Sequence, residues 1–371
     1  HLVDLLRQTH RRADAVKLLE DTVRGDATPA VKQWARRSLA FAKISAEDGH
    51  THVAAALDLI EENLREGGNL LDDRRAKALV LAADPFRRAD AIATLTETAG
   101  TIPLGPEENF LLARLHVQGG KLVEAETALR AATRAAAVAA PEHLATLIRV
   151  QLVRGETTDA KETLAKLKLA APNTWLAVSE EARYLARVGN KKEAARLASA
   201  TSGPDDADHL TARVGPLLEE IGCPADAEAA YRKALEAAKT PTAHVPLTSF
   251  YLRTARQPDA VAVARMHADG CPTGITARLL CAAVRSRPDD AVPASEKDAW
   301  KKTVGEVEAW IAAKLRAEPT HPDLLYARAE LDDMAGRYDE EIRALELALR
   351  QVPAHDVYLK NLATRLALHA K

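Results

Sequence analysis

Aromatic side chains make up only 4% of this sequence. A core built on large rings is therefore excluded, and packing must rest on close approach of small side chains, which paired helices provide. Long apolar runs are missing too: the alanine-rich run at 135–140 falls far short of the roughly 20 residues of a membrane span. No Val-, Ile- or Thr-rich alternating segment bounded by hairpin turns is found, so no strand is expected. Cysteine is scarce. Cys223, Cys271 and Cys281 form no CxxC pair, and an odd number argues against a disulfide framework, so they read as small buried hydrophobes. Charge of one sign is absent as well. The 51 basic and 53 acidic residues balance, and no basic half faces an acidic half, which leaves no nucleic-acid footprint. No signal peptide follows His1, so the expected compartment is the cytoplasm.

What is present is a period. At 371 residues the chain exceeds one compact core, so it must divide into domains or extend as a repeat array. Aligning the helices that follow each turn places an alanine at Ala15, Ala56, Ala91, Ala125, Ala160, Ala194, Ala227 and Ala260. The spacings are 41, 35, 34, 35, 34, 33 and 33, the mark of stacked helical hairpins. Arg11-Arg12-Ala13-Asp14-Ala15 recurs as Arg87-Arg88-Ala89-Asp90-Ala91, 76 residues later. First helices end near glycine, at Gly119-Gly120, Gly155, Gly189, Gly222 and Gly336, and second helices begin at once. The stretch 335–353 shows the pattern most clearly, with a glycine turn, a helix that carries Tyr338, Ile342, Leu345 and Leu349 on one face, and a closing proline. Pro172, Pro241, Pro319 and Pro353 mark repeat ends.

This pattern resembles the tetratricopeptide repeat family. The unit 322–353 fits at Ala329, Gly336, Tyr338, Leu345, Ala348 and Pro353, and departs where Glu341 replaces the usual alanine. The unit from Asp208 fits at Gly215, Gly222, Ala227, Tyr231 and Ala234. The resemblance implies an all-α, right-handed α-solenoid of about ten helix-turn-helix repeats over nearly the whole chain. It also implies a protein-binding scaffold with a protein or peptide partner in its concave groove.

Two places break the register. The turn 46–51 is long, and 271–319 reads as a divergent repeat. There the Arg287-to-Pro293 loop precedes one long helix carrying Trp300, Val304, Val307, Ile311 and Leu315. That stripe reads first as core of a drifted repeat and second as a bend offering a surface to another domain. Residues 1–270 are expected to be regular repeats, and 320–371 a regular repeat plus a terminal first helix, all in one array. Both end helices read as cut from a longer protein.

No nucleophile elbow, phosphate loop or dinucleotide fingerprint occurs, so neither catalysis nor a cofactor is expected. The adjacent carboxylates Glu61-Glu62, Glu107-Glu108, Glu180-Glu181, Glu219-Glu220 and Glu340-Glu341 point about 100° apart on a helix and read as solvated faces. His50 and His52 form an HxH pair without an implied third ligand, so no metal is expected. Projecting the first helices onto the family's partner-binding face places Arg114, Arg149 and Arg183 at equivalent positions. With helices packed about 10 Å apart, they form a ladder that Arg187 and Arg213 extend. Such a row suits carboxylates or phosphates of a partner, with acidic segments expected. Glu107, Glu142 and Glu180 on the same helices offer the bland alternative of a partly neutralised, solvated row. Each exposed pair contributes only about 0.2 to 1 kcal/mol, which leaves affinity to apolar contacts such as Phe110 and Leu111. The family's carboxylate clamp is not reproduced, since Phe110, Leu111, Ala145, Thr146 and Ser179 hold its positions; Lys360-Asn361 resembles it only locally. Two further readings stand beside the scaffold: a docking array of an enzyme whose catalytic domain lies outside this segment, and an architectural, self-associating array.

Overall fold

The computed structural model describes residues 11–45, 49–68, 70–135, 138–200, 206–238, 240–287 and 291–369. Among them the fold is all-helical, and no helix is long and apolar enough to cross a membrane. The chain divides into two compact units, His1–Asn190 and Lys191–Lys371.

In the first unit the helices are α1 (Arg12–Arg24), α2 (Pro29–Ile44), α3 (Val53–Arg65), α4 (Leu70–Ala82), α5 (Arg88–Ala99), α6 (Pro106–Gln118), α7 (Leu122–Ala135), α8 (Pro141–Arg154), α9 (Thr157–Ala170) and α10 (Trp175–Arg187). Consecutive helices pack as hairpins, α2 on α3, α4 on α5, α6 on α7 and α8 on α9, while each second helix also packs on the first helix that follows. The alternation follows from the sequence. Proline at the start of α2, α6 and α8 sets the helical φ where no amide partner is needed. Gly155 ends α8 at φ 82°, a conformation that an L side chain rarely adopts. Its neighbour Glu156 then donates its amide to the Gln151 carbonyl at 2.8 Å, which closes the turn.

In the second unit the helices are α11 (Lys191–Ala200), α12 (Gly215–Glu220), α13 (Pro224–Ala237), α14 (Val245–Arg253), α15 (Gln257–Met266), α16 (Thr273–Arg285), α17 (Lys297–Ala317), α18 (Pro322–Met334), α19 (Tyr338–Gln351) and α20 (Asp356–His369). A π-helical turn, Leu210–Val214, leads into α12. There Gly215 is a contact requirement, because a Cβ would lie 2.5 Å from the buried Tyr231 ring. The α14–α15 turn has no glycine, and Ala255 takes the left-handed conformation at φ 57° in its place.

The recurring alanines settle the register. Ala15 is 2% exposed, and Ala56, Ala91, Ala125, Ala160, Ala194, Ala227 and Ala260 are fully buried. Only a small side chain fits where the two helices of a hairpin cross. Packing clusters are local, as in Leu144, Ile148, Leu152, Leu164 and Leu167 around Ala160. The three cysteines are buried free thiols, as expected.

The divergent segment does form one long helix, the 21-residue α17. Trp300, Val307 and Ile311 are buried, and Leu315 packs against the Leu325 and Tyr358 cluster. The Trp300 indole donates to the Arg287 carbonyl at 3.1 Å. The stripe is therefore core within this unit. Part of the loop before it, 288–290, and part of the turn 46–51 lie outside the described residues, as does the His50 side chain.

One expectation needs correction. The adjacent carboxylates are not all solvated: Glu180 is fully buried, Glu341 is 5% exposed and Glu219 is half-buried. A 100° step places one neighbour at the edge of the buried face while the other stays on the solvent arc, and in these cases an arginine pairs with the inner one. Glu341, in the slot usually held by alanine, pairs with Arg365 Nε of α20 at 2.7 Å. The Arg365 guanidinium also stands over the Tyr338 ring, 4.7 Å from its centroid.

Candidate functional site

The expected partner face lies on α6, α8 and α10 of the first unit. Side chains join them in sequence. Phe110 of α6 is half-buried, with its ring 4.2 Å from the buried His143 of α8. His143 Nε2 lies 3.5 Å from Glu107 Oε1. Between α8 and α10, Arg149 donates to the fully buried Glu180 through Nε at 2.7 Å and Nη2 at 2.5 Å. Arg183 donates to the same Oε1 at 2.9 Å.

Arg149 and Arg183 thus meet across two helices on one carboxylate. The Arg149 side chain remains 49% exposed and that of Arg183 19%. Arg114 is exposed on α6 and makes no ion pair among the described residues. Arg187 is exposed one turn beyond Arg183. Arg213 is exposed on the π-helical turn of the second unit. Glu180 was the member of this site that sequence reasoning misassigned. Its signal was present, since it lies three residues before Arg183 on the same helix.

The local likeness to a carboxylate clamp at Lys360-Asn361 is already engaged, because the Asn361 amide donates to the Tyr326 hydroxyl at 2.9 Å. At the corresponding first-helix positions, the Thr146 and Ser179 hydroxyls donate to their own helix carbonyls at 2.8 and 3.0 Å.

Two other polar clusters lie outside this face. Glu126, Glu156 and Asp159 bring carboxylate oxygens within 4.8 Å of one another. Arg130 and Arg154 hold all three, Arg130 on Glu126 and Asp159 and Arg154 on Glu126 and Glu156, so each carboxylate has an arginine partner.

In the second unit Glu228 accepts from the fully buried Tyr251 hydroxyl at 2.8 Å and from Arg232 Nε at 3.0 Å, and pairs with Arg256. Burial alone would push this carboxyl up, but the hydrogen bonds from Tyr251, Arg256 and Arg232 outweigh it and hold it at about 2, below the ordinary 4.5. A depressed folded-state value means that the stabilisation is complete above 4.5 and is lost as pH falls toward 2. Urea denaturation from pH 5 to about 2.5 is expected to show a steeper loss of stability in the parent than in Glu228→Gln; parallel curves contradict this assignment.

The chain matches no protein-family model, and no curated protein matches it. It is similar to a tetratricopeptide repeat protein from Parabacteroides merdae, with 17% identity, 70% of this chain and 98% of that one covered, and a TM-score of 0.32. A thermophilic TPR protein of Thermus thermophilus shows 21% identity over 48% of this chain and 98% of its own, with a TM-score of 0.32. Human IFIT1, as a dimer with PPP-AAAA, shows 14% identity, 95% and 90% coverage and a TM-score of 0.37. The buried alanine register, the glycine-closed hairpins and the stacking order define this fold as a tetratricopeptide-like repeat array.

Proposed function

We propose that the chain is a protein-binding scaffold that takes acidic partner segments on the first-helix face formed by α6, α8 and α10. The supporting observation is the sharing of one buried Glu180 by Arg149 and Arg183, which orders both guanidinium groups, with Arg114 exposed on α6. Ordered arginine presents its paired donors to a carboxylate with less entropy left to lose. Phe110 borders the row and supplies apolar contact, and Arg187 lengthens the row along α10. Arg213 offers the same chemistry on the second unit. These charges steer and select partners, while apolar contact supplies most of the affinity.

The test is capture of binding proteins by the full chain, followed by comparison with a variant in which Arg114, Arg149 and Arg183 are all replaced by alanine. The captured proteins are expected to share acidic segments. The triple variant is expected to bind them about tenfold more weakly and with a flatter salt dependence. Parent binding that is equal at low and high salt contradicts the reading.

A further inference from the structure

A cavity of about 450 Å³ opens in the first unit on the side of the second helices, between α7 and α9 and over the start of α8. Its size falls within the range of small-molecule sites, roughly 300 to 1,000 Å³, and is too small for a helix or a folded partner. The floor is apolar, made by the buried side chains of Leu144 and Leu147 from α8. The lip is apolar as well. Val138 and Leu169 stand there 79% and 85% exposed.

The polar wall carries one sign of charge. Arg130 and Arg134 reach the cavity from α7 and Lys166 from α9. Arg130 is held by Glu126 and Asp159. Arg134 and Lys166 are exposed and make no ion pair among the described residues; Glu162, one turn before Lys166, is also outside pairing distance. The two threonines of the wall do not add donors. Thr133 gives its hydroxyl proton to the Arg130 carbonyl at 3.1 Å and Thr163 to the Asp159 carbonyl at 2.9 Å.

We infer that this cavity is a binding site for a small amphipathic organic anion. Its carboxylate or phosphate head lies against Arg134 and Lys166, and its short apolar body covers Leu144 and Leu147 beneath Val138 and Leu169. Both halves of the ligand are required by the wall. An inorganic anion leaves the apolar floor wet, and a neutral apolar molecule gains nothing from the two exposed cations. None of the residues that line the cavity belongs to the Arg149–Glu180–Arg183 row, so the site does not depend on the scaffold reading.

Isothermal titration of the full chain with decanoate and with decyl phosphate, each below its micelle concentration, tests the site, with decanol as the neutral control. Saturable binding at one molecule per chain is expected for at least one anion, about tenfold tighter than decanol. The tighter of the two anions names the head group. Arg134→Gln combined with Lys166→Gln is expected to remove that advantage while the circular dichroism and melting temperature stay at parent values, because both side chains are exposed. Leu169→Ser is expected to weaken both anions. No saturable binding of either anion, equal binding of decanol, or an unchanged affinity in the double variant overturns the site.

Discussion

Replacing Ala160 by Leu is expected to destabilise the first unit by about 1 to 3 kcal/mol, and Ala227→Leu the second by a similar amount. Both alanines are fully buried where the helices of a hairpin cross. Ala160 lies in one packed cluster with Leu144, Ile148, Leu164 and Leu167, so three added carbons force side chains off their rotamers or part the helices. In a repeat array each hairpin answers mainly to its neighbours, so the loss is local, and hydrogen exchange places it better than a single melting temperature. Ala165→Leu on the exposed side of α9 is the control, expected within about 0.5 kcal/mol of the parent. If Ala160→Leu and Ala227→Leu both match that control, the register is wrong.

A larger effect is expected at Asp73→Ala, a loss of about 3 to 5 kcal/mol. Asp73 is fully buried on α4, where its Oδ1 accepts from Arg37 Nη1 at 2.9 Å and from Asn63 Nδ2 at 2.9 Å. Asn63, also fully buried, donates to the Gln33 carbonyl at 2.9 Å and accepts from Arg36 Nη1 at 3.2 Å. Arg36 in turn holds Glu62 and Glu66 at 2.6 Å. The network ties α2, α3 and α4 beside a core that includes Leu57, Ile60 and Leu81. Removing the carboxylate strands a guanidinium and an amide in a space that water reaches poorly, and that desolvation is the cost. Asp73→Asn keeps an acceptor in place and is expected to lose less. Urea denaturation gives the size, and hydrogen exchange should confine it to α2–α4. A loss for Asp73→Ala below that of an exposed substitution contradicts the role given to the network.

The repeat was legible because steric demand leaves a trace at a fixed spacing. An alanine that must fit a helix crossing recurs with the hairpin, and each of the eight is buried. The long α17 was legible for a similar reason, since Trp300, Val307 and Ile311 keep one helical face over about three turns. The turn at Ala255 was not, because its left-handed residue is imposed by the hairpin around it rather than by glycine.

Polar burial was legible only in part. Glu180 has Arg183 on its own helix, but its second arginine, Arg149, is 31 residues away, and the arginine of Glu341 is Arg365 on α20. The Asp73 network and the cavity escape a linear reading for the same reason: their members are each unremarkable on a helix and acquire meaning only when two or three helices are stacked. For the partner face, the sequence placed Arg114, Arg149 and Arg183 on equivalent positions, while the carboxylate that orders two of them emerged only with the fold.

The most direct measurement is hydrogen exchange of the full chain, alone and saturated with an acidic segment that it captures. Slower exchange is expected on α6, α8 and α10, strongest near Arg149 and Arg183, with α7 and α9 unchanged. Protection confined to α7 and α9, or to the second unit, contradicts partner binding on the first-helix face.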